Sequence, residues 1–160
     1  FSKVLKIFPD YKLVIIGSGS LKETKEIQEI IEKLNIGFAT RLLGYQNRFA
    51  VRNYMWNSKL FLLSSVTEGM PKVIHESLCS KLPVVATDVG GCRNLVGDAG
   101  KVVKAENPDA FAKAIIFLLK NPEQYNNCVD RSQERGTKYS WKSNSEIILN
   151  EFKKLLINKR

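Results

Sequence analysis

The chain has 160 residues, of which 44% are hydrophobic and 26% are charged, a composition typical of one globular domain with a sizeable core. No apolar run approaches the roughly 18 residues that a membrane-spanning helix needs, and the first residues show no secretory signal pattern. Three cysteines without CxxC spacing argue against a disulfide framework or a zinc site, so we expect a cytoplasmic protein. The net charge of +9 is evenly spread along the chain. It is consistent with an ordinary solvated surface or with an anionic partner, which could be a small ligand, a membrane surface or nucleic acid.

Short apolar runs alternate along the chain with segments of helical spacing. In chain order we predict strands over 12–17, 41–44, 59–64, 82–86 and 100–103, and helices over 20–35, 47–57 and 71–81, the last with Pro71 at its first position. Asn107-Pro108 and Asn121-Pro122 each place an N-cap residue before a proline, which predicts two further helices, the second ending near Gly136. We expect a final helix from about Ser140.

The predicted strands carry apolar residues at consecutive positions, which is typical of strands covered on both faces. Strands of this kind that alternate with helices predict a parallel sheet with helices on both faces, a Rossmann-like α/β fold. In such sheets, ligands bind beyond the carboxyl ends of the strands, where loops lead into helix N-termini. The sequence shows no internal repeat, low-complexity tract or linker, so we predict a single domain over 1–160.

Two glutamates flank one of these loops. Glu68 follows the predicted strand 59–64, and Glu76 lies in the helix that comes next. The N-terminus of that helix presents unpaired N–H groups and a positive dipole, which suit a phosphate, and Lys72 adds charge. Gly69 allows a ligand to approach the backbone, and carboxylates are good acceptors for sugar hydroxyls. A nucleotide sugar, with ribose, diphosphate and hexose in a row, fits this layout; alternatively, both glutamates are ordinary surface residues.

The segment resembles the E-x(7)-E signature of retaining group 1 glycosyltransferases of GT-B fold, which often reads E-G-F-P-x-x-x-x-E. In this chain it reads Glu68-Gly69-Met70-Pro71-Lys72-Val73-Ile74-His75-Glu76. The likeness continues through 77–91, and further matches lie at 13–19, at 97–100 and at Ser140-Trp141. Because these matches keep the family's order and spacing from residue 12 to about 155, they are much more specific than an isolated E-x(7)-E.

The resemblance implies the donor-binding, C-terminal half of an enzyme that moves a sugar from a UDP- or GDP-type donor to an acceptor hydroxyl with retained configuration. The process would be polysaccharide or glycolipid synthesis. By resemblance, Glu68 is the catalytic residue and contacts the donor sugar, while Glu76 holds the ribose hydroxyls. The other donor-binding residues that it implies are Gly17, Gly19, Gly69, Met70, Pro71, Lys72 and Val73, and the base would lie against Leu42, Leu43 and Tyr45.

The resemblance also implies parts that these 160 residues lack. The family's C-terminal half normally opens with a strand that carries an Arg and a Lys toward the leaving diphosphate, whereas 1–9 look like the helix after that strand. We therefore expect the first strand and the N-terminal acceptor domain to lie elsewhere in the protein, and the chain alone to be inactive. No metal or cofactor is expected. The acceptor would be a sugar or a lipid-linked glycan, and peripheral contact with the inner face of the membrane stays open.

Other classes of protein fit the sequence less well. A dinucleotide-binding domain would need a glycine where Lys22 stands and an acidic residue within 35–37. A nucleic-acid binder would show Lys and Arg clustered or interleaved with aromatic residues, and we see no such pattern, so no nucleic-acid partner is expected. Another GT-B enzyme, such as a sugar-nucleotide epimerase, and a non-enzymatic nucleotide-binding domain stay open as alternatives.

Overall fold

The predicted strands and helices are all present, in the predicted order, in a computed structural model that describes residues 1–138 and 141–157. The strands are β1 (Leu13–Ile15), β2 (Thr40–Leu42), β3 (Phe61–Leu63), β4 (Val84–Thr87) and β5 (Gly100–Val103). The helices are α1 (Ser2–Leu5), α2 (Leu21–Lys33), α3 (Arg48–Trp56), α4 (Lys72–Cys79), α5 (Cys92–Val96), α6 (Pro108–Lys120), α7 (Pro122–Lys138) and α8 (Trp141–Ile157). Ser140, where we expected the last helix to begin, lies outside the described residues.

Three helices differ from the prediction in ways that the structure explains. Helix α5 was missed because five residues are too few to show a helical period. Helix α4 begins at Lys72, and Pro71 is its extended N-cap residue (φ −70°, ψ 106°), so the placement of Pro71 at the first helical position was wrong. Helix α7 continues past Gly136 to Lys138. A side chain at Gly136 would lie within 2.8 Å of the Cys79 backbone, so this glycine allows α7 to approach α4 closely instead of ending the helix.

The sheet formed by β3, β4 and β5 is parallel, and helices cover both of its faces. β4 lies in the centre, where Val85 is paired with Leu62 on one side and with Lys101 on the other. All four residues of β4 are buried. Val84 and Ala86 pack into one hydrophobic cluster with α4 and α5, while Val85 packs into a second cluster with α1, α6 and α7. The prediction of a strand covered on both faces is therefore confirmed for β4.

The five strands form two sheets, whereas we predicted one. β1 pairs with β2, with Val14 opposite Arg41, and no hydrogen-bonded ladder joins this pair to β3 within the described part of the chain. Every residue of β1 and of β3 is half-buried, unlike those of β4. An apolar run shows that a strand is suited to burial, but the extent of burial depends on which neighbours are hydrogen-bonded to it.

Two amphipathic helices expose their apolar sides. Ile27 and Ile30 of α2 and Leu34 at its C-cap are 38%, 56% and 46% exposed, whereas Ile31 on the same side is half-buried against a small core cluster. In α8, Ile148 and Phe152 are also exposed. Helical spacing therefore predicted these helices correctly, but it did not show how far their apolar residues are buried. None of the described helices is both long and apolar enough to cross a bilayer.

Candidate functional site

The site residues predicted from the sequence follow the carboxyl ends of β1, β2 and β3. Gly17 and Gly19 come after β1, Leu43 and Tyr45 come after β2, and the loop with the first glutamate comes after β3. Parallel pairing places the ends of β1 and β2 at one edge of their sheet, and the end of β3 at the corresponding edge of the other sheet, the edge where ligands bind in this kind of fold. Hydrogen bonds between the loops define the candidate site further.

The turn after β1 is joined to the loop after β2. The N–H of Gly17 donates to the carbonyl of Gly44 at 2.9 Å, and the N–H of Leu43 donates to the carbonyl of Ile15 at 3.0 Å. Gly17 has a φ of +137°, a conformation that favours glycine. A Cβ placed on it would meet no atom within 4 Å. The backbone of Gly17 therefore borders open space that a ligand can enter.

Gly19 has different surroundings, because it precedes the N-terminus of α2, where the side chains of Ser20 and Glu23 form a capping box. The carboxylate of Glu23 accepts hydrogen bonds from the N–H of Ser20 at 2.7 Å and from its hydroxyl at 2.8 Å, and the Ser20 hydroxyl in turn accepts from the N–H of Glu23. The backbone bond first, and then the hydroxyl, lower the pKa of Glu23. A Cβ on Gly19 would lie 3.0 Å from that carboxylate. An anion at this helix end would meet a negative charge, so Gly17 is the better placed of the two glycines.

The loop predicted to contact the base exposes one aromatic ring. Leu43, half-buried after the end of β2 at Leu42, uses both main-chain groups within the protein, since its carbonyl accepts from the side chain of Gln46 at 2.9 Å. Tyr45 is 77% exposed. The sequence analysis gave equal weight to Leu42, Leu43 and Tyr45, and the structure makes the Tyr45 ring the most accessible of the three.

Glu68 is oriented by a chain of two hydrogen bonds that begins in β4. The hydroxyl of Thr87, which is buried at the end of β4, donates to the carbonyl of Ser65 at 2.6 Å. The hydroxyl of Ser65 donates to Oε1 of Glu68 at 2.7 Å. Glu68 is half-buried. Thr87 of β4 and Ser65 in the loop after β3 thus hold this carboxylate in position, and sequence reasoning identified neither residue as its support.

A second contact holds the same loop from the other side. The N–H of Gly91 donates to the carbonyl of Gly69 at 2.7 Å. Gly90 has a φ of +50°, and a Cβ on it would lie 2.0 Å from the carbonyl oxygen of Glu68. A side chain on Gly91 would meet the sulfur of Met70 at 2.7 Å. Close packing of the two loops therefore requires a glycine at position 90, whereas at Gly91 the nearest atom belongs to the exposed side chain of Met70. Both glycines entered the sequence analysis only as part of the resemblance.

The N-terminus of α4 has no side-chain cap. Ser20, Asn47 and Asn107 cap α2, α3 and α6, whereas the N-cap residue of α4 is Pro71, which makes no such bond. The N–H of Ile74 donates to the carbonyl of Pro71 at 3.1 Å, while those of Lys72 and Val73 have no backbone partner among the described residues. The helix dipole gives this end a positive potential. A Cβ on Gly69, just before this helix, would meet nothing within 4 Å. This helix end can therefore accept an anion.

Three polar side chains of α4 have separate environments. Lys72, at the first helical position, is exposed, and its ammonium group pairs with no carboxylate in the described ranges. The carboxylate of Glu76 is exposed and accepts no hydrogen bond from a described residue. The ring of His75, the only histidine, instead lies 3.1 Å from the carbonyl of Gly136 in α7 and 3.5 Å from the sulfur of Cys79. Lys72 and Glu76 are thus available to a ligand, and His75 joins α4 to α7.

Comparison with known proteins identifies the family. The family described as glycosyl transferases group 1 matches residues 1–135. The chain belongs to this family, which confirms the family predicted from the ordered motifs.

A curated relative and two solved structures agree with this assignment. The N-acetylgalactosamine-N,N'-diacetylbacillosaminyl-diphospho-undecaprenol 4-alpha-N-acetylgalactosaminyltransferase of Campylobacter jejuni is 36% identical over 115 residues, 70% of this chain and 30% of the relative. The C-terminal domain of a group 1 glycosyl transferase from Francisella tularensis superposes with a TM-score of 0.77 at 19% identity, over 87% of this chain and 76% of that one. A mutant of S. aureus TarM, solved as a complex that includes UDP, superposes with a TM-score of 0.77 at 28% identity. The match covers 93% of this chain and 30% of the TarM chain.

These neighbours confirm the α/β fold class, since they are glycosyltransferases of GT-B fold. The chain spans less than half the length of the curated relatives that it matches. In eight of them the matched region covers between 21% and 41% of the relative's length. The activity, substrates and partners of the whole protein are accordingly matters of proposal.

Proposed function

We propose that the chain binds a nucleotide-sugar donor of UDP or GDP type, with the diphosphate at the N-terminus of α4. The observation that carries this proposal is the arrangement at that helix end, where uncapped N–H groups, the exposed ammonium group of Lys72 and the open space beside Gly69 lie next to one another in the chain. A diphosphate there is stabilised by the helix dipole and by the lysine. The TarM structure, which contains UDP, supports a nucleotide of this class.

The two glutamates take different roles in this proposal. Glu76, whose carboxylate has no partner among the described residues, accepts two hydrogen bonds from neighbouring ribose hydroxyls, since an ionised carboxylate has acceptor sites to spare. Glu68, held by Ser65, contacts the donor sugar as the catalytic residue. A fixed negative charge there stabilises the positive charge that develops at the anomeric carbon as the diphosphate leaves. Gly17 borders the diphosphate from the β1 side, and Tyr45 contacts the base.

We further propose that another part of the protein supplies one strand between β1 and β3. A doubly wound sheet has the order 3-2-1-4-5-6. The observed strands fit this order as β2, β1, one further strand, β3, β4 and β5. That further strand would lie between β1 and β3 and join the two observed sheets. Such a strand would cover the half-buried residues of β1 and β3. An N-terminal domain of the same protein would hold the acceptor.

We propose a sugar or a lipid-linked glycan as the acceptor and polysaccharide or glycolipid synthesis as the process. The Campylobacter jejuni relative, whose name contains diphospho-undecaprenol, supports the lipid-linked form. We propose transfer with retained configuration, without metal or cofactor. A cytoplasmic location is supported by the three cysteines, all of which are free thiols.

Calorimetry tests the donor proposal directly. UDP and GDP are titrated into the protein, with uridine and guanosine as controls that lack the diphosphate. We expect at least one diphosphate to bind, and more tightly than its nucleoside. If neither binds, the donor site is wrong. For the reaction, the complete protein is incubated with UDP- and GDP-sugars and a lipid-linked acceptor, and NMR of the anomeric proton in the product distinguishes retention from inversion.

A further inference from the structure

The outer face of α3 carries two large aromatic rings where a surface helix normally presents polar groups. Its inner side packs through Ala50, Val51, Tyr54 and Met55, of which Met55 is buried. Phe49 and Trp56 point the other way and are 57% and 59% exposed. Arg48 and Arg52 lie on the same outer side and are exposed as well. Arg48, Phe49, Arg52 and Trp56 are together called the α3 face.

The arginines of the α3 face lie over its aromatic rings. The guanidinium of Arg52 is 4.6 Å from the ring centroid of Trp56 and 5.7 Å from that of Phe49, and the guanidinium of Arg48 is 5.1 Å from Phe49. These distances are typical of cation–π contacts. Neither arginine forms an ion pair with a carboxylate of residues 1–138 or 141–157. The face thus combines apolar rings with two positive charges that no described carboxylate neutralises.

This arrangement corrects the sequence analysis, which saw no interleaving of basic and aromatic residues. Arg52 and Trp56 are separated from Arg48 and Phe49 along the chain by inward-facing residues, so the four side chains come together on one face only once the helix has formed. Three features of the face then bear on its partner: its net positive charge, its exposed rings and the convex shape of a helix.

We propose that the α3 face docks on an anionic phospholipid surface. At a membrane interface, Trp and Phe rings lie at the level of the headgroups, and Arg side chains bind lipid phosphates. The net charge of +9 on these 160 residues attracts them to such a surface. Two arginines and two rings give weak and reversible binding rather than stable anchoring, which generally takes two membrane signals.

Other partners fit the α3 face less well. Single-stranded nucleic acids stack their bases on open aromatic faces, whereas guanidinium groups lie over both of these rings. A protein partner would need an acidic surface with pockets for both rings, because aromatic anchors bind in well-packed pockets. A headgroup layer is fluid and anionic throughout, so it can adapt to a convex helix without a matching pocket.

Docking through this face would bring the candidate site toward the membrane, because Tyr45 lies in the loop that leads into α3. A lipid-linked acceptor would then be close to the bound donor, a consequence that rests on the proposed function. The docking itself does not, since the charges and rings of α3 take no part in donor binding.

Vesicle co-sedimentation tests the proposal with phosphatidylcholine vesicles that contain or lack phosphatidylglycerol. We expect binding only to the anionic vesicles, and weaker binding as salt is added. Arg52→Gln should lower the partition coefficient about fivefold, as expected for one basic residue near an anionic surface. Removing both exposed rings with Phe49→Ser and Trp56→Ser should lower it by at least about tenfold, because their apolar area would no longer enter the interface. In a Trp141→Phe background, Trp56 is the only tryptophan, and its emission should shift to the blue on binding.

Matched controls identify the surface responsible. Lys12 lies 5.7 Å from the ring centroid of Phe38, which is 71% exposed, so Lys12→Gln with Phe38→Ser removes the same kind of pair from another surface. We expect that variant, and Phe152→Ser on α8, to bind vesicles like the unaltered protein. Equal binding to neutral vesicles, unchanged binding of the α3 variants, or a loss seen equally in the controls would overturn the proposal. Titration with UDP reports on the donor site separately, so failure of one proposal is distinguishable from failure of the other.

Discussion

The N–H of Gly91 donates to the carbonyl of Gly69 at 2.7 Å, and this bond joins the turn after β4 to the loop that carries Glu68. The neighbouring Gly90, at a φ of +50°, comes so close to Glu68 that no side chain fits between them. The position of the carboxylate therefore depends on a turn more than 20 residues further along the chain. This dependence leads to the first prediction.

Gly90→Ala should damage both the fold and the site. The new Cβ would lie 2.0 Å from the carbonyl oxygen of Glu68, and the positive φ adds strain. We expect the free energy of unfolding to fall by about 1–3 kcal/mol and UDP binding to weaken. Gly69→Ala is the matched comparison, because its Cβ would meet no protein atom. It should change stability by less than about 0.5 kcal/mol while weakening UDP binding. Urea denaturation and calorimetry measure the two effects, and equal stabilities for the two variants would contradict this packing.

Glu76→Ala should weaken UDP binding by about 1–3 kcal/mol, the range for a polar group that loses its hydrogen-bond partner. The carboxylate is exposed on α4 and makes no hydrogen bond with a described residue, so its loss should leave the unfolding free energy almost unchanged. Glu29→Ala, an exposed glutamate on α2, is the control and should bind UDP normally. If calorimetry gives Glu76→Ala the affinity of the unaltered protein, Glu76 does not belong to the site.

Lys72→Ala should weaken the binding of UDP more than that of uridine, because the ammonium group acts on the phosphates. Added salt should narrow this difference, since it screens an exposed charge. Lys25→Ala, on the exposed side of α2, should affect neither ligand. A Lys72→Ala variant that loses the same factor for UDP and uridine would show that this lysine has no specific role at the diphosphate.

Thr87→Val should destabilise the fold by about 1–2 kcal/mol, because the carbonyl of Ser65 loses the buried hydroxyl that donates to it. The volume of the side chain is nearly unchanged, so packing contributes little. UDP binding should also weaken, since Ser65 positions Glu68. Thr87→Ser keeps the hydroxyl and should restore most of the site geometry. If Thr87→Val and Thr87→Ser weaken UDP binding equally, the hydrogen bond from Thr87 to Ser65 does not support the carboxylate of Glu68.

The chain by itself should produce no glycoside. Transfer requires an acceptor held at about 3–3.5 Å from the anomeric carbon in a cleft without water, and these 160 residues supply only one wall of such a cleft. We expect donor binding and, at most, slow hydrolysis of the donor. The purified chain is incubated with labelled UDP-sugars and GDP-sugars and a panel of acceptors. A glycoside product that accumulates with turnover would show that the chain assembles a complete site.

Local patterns in the sequence were sufficient for the order of the elements and for much of their position. The apolar run in β4 predicted a strand covered on both faces, and Asn107-Pro108 predicted the capped start of α6. These features depend on residues close together in the chain, where spacing and backbone preferences act directly. The two glutamates and the ordered motifs around them were likewise visible without coordinates, because a family signature is a property of spacing.

Only the tertiary structure showed how the candidate site is held. Thr87 of β4 reaches Ser65 in the loop after the neighbouring strand β3, and Gly90 packs against Glu68, so neither contact follows from local spacing. The same holds for the division of the strands into two sheets and for the exposed side of α2, which depend on what lies beside each element. Hydrogen-bonded pairing and close packing join residues far apart in sequence, and the side chain that a position tolerates is then set by the atoms that face it.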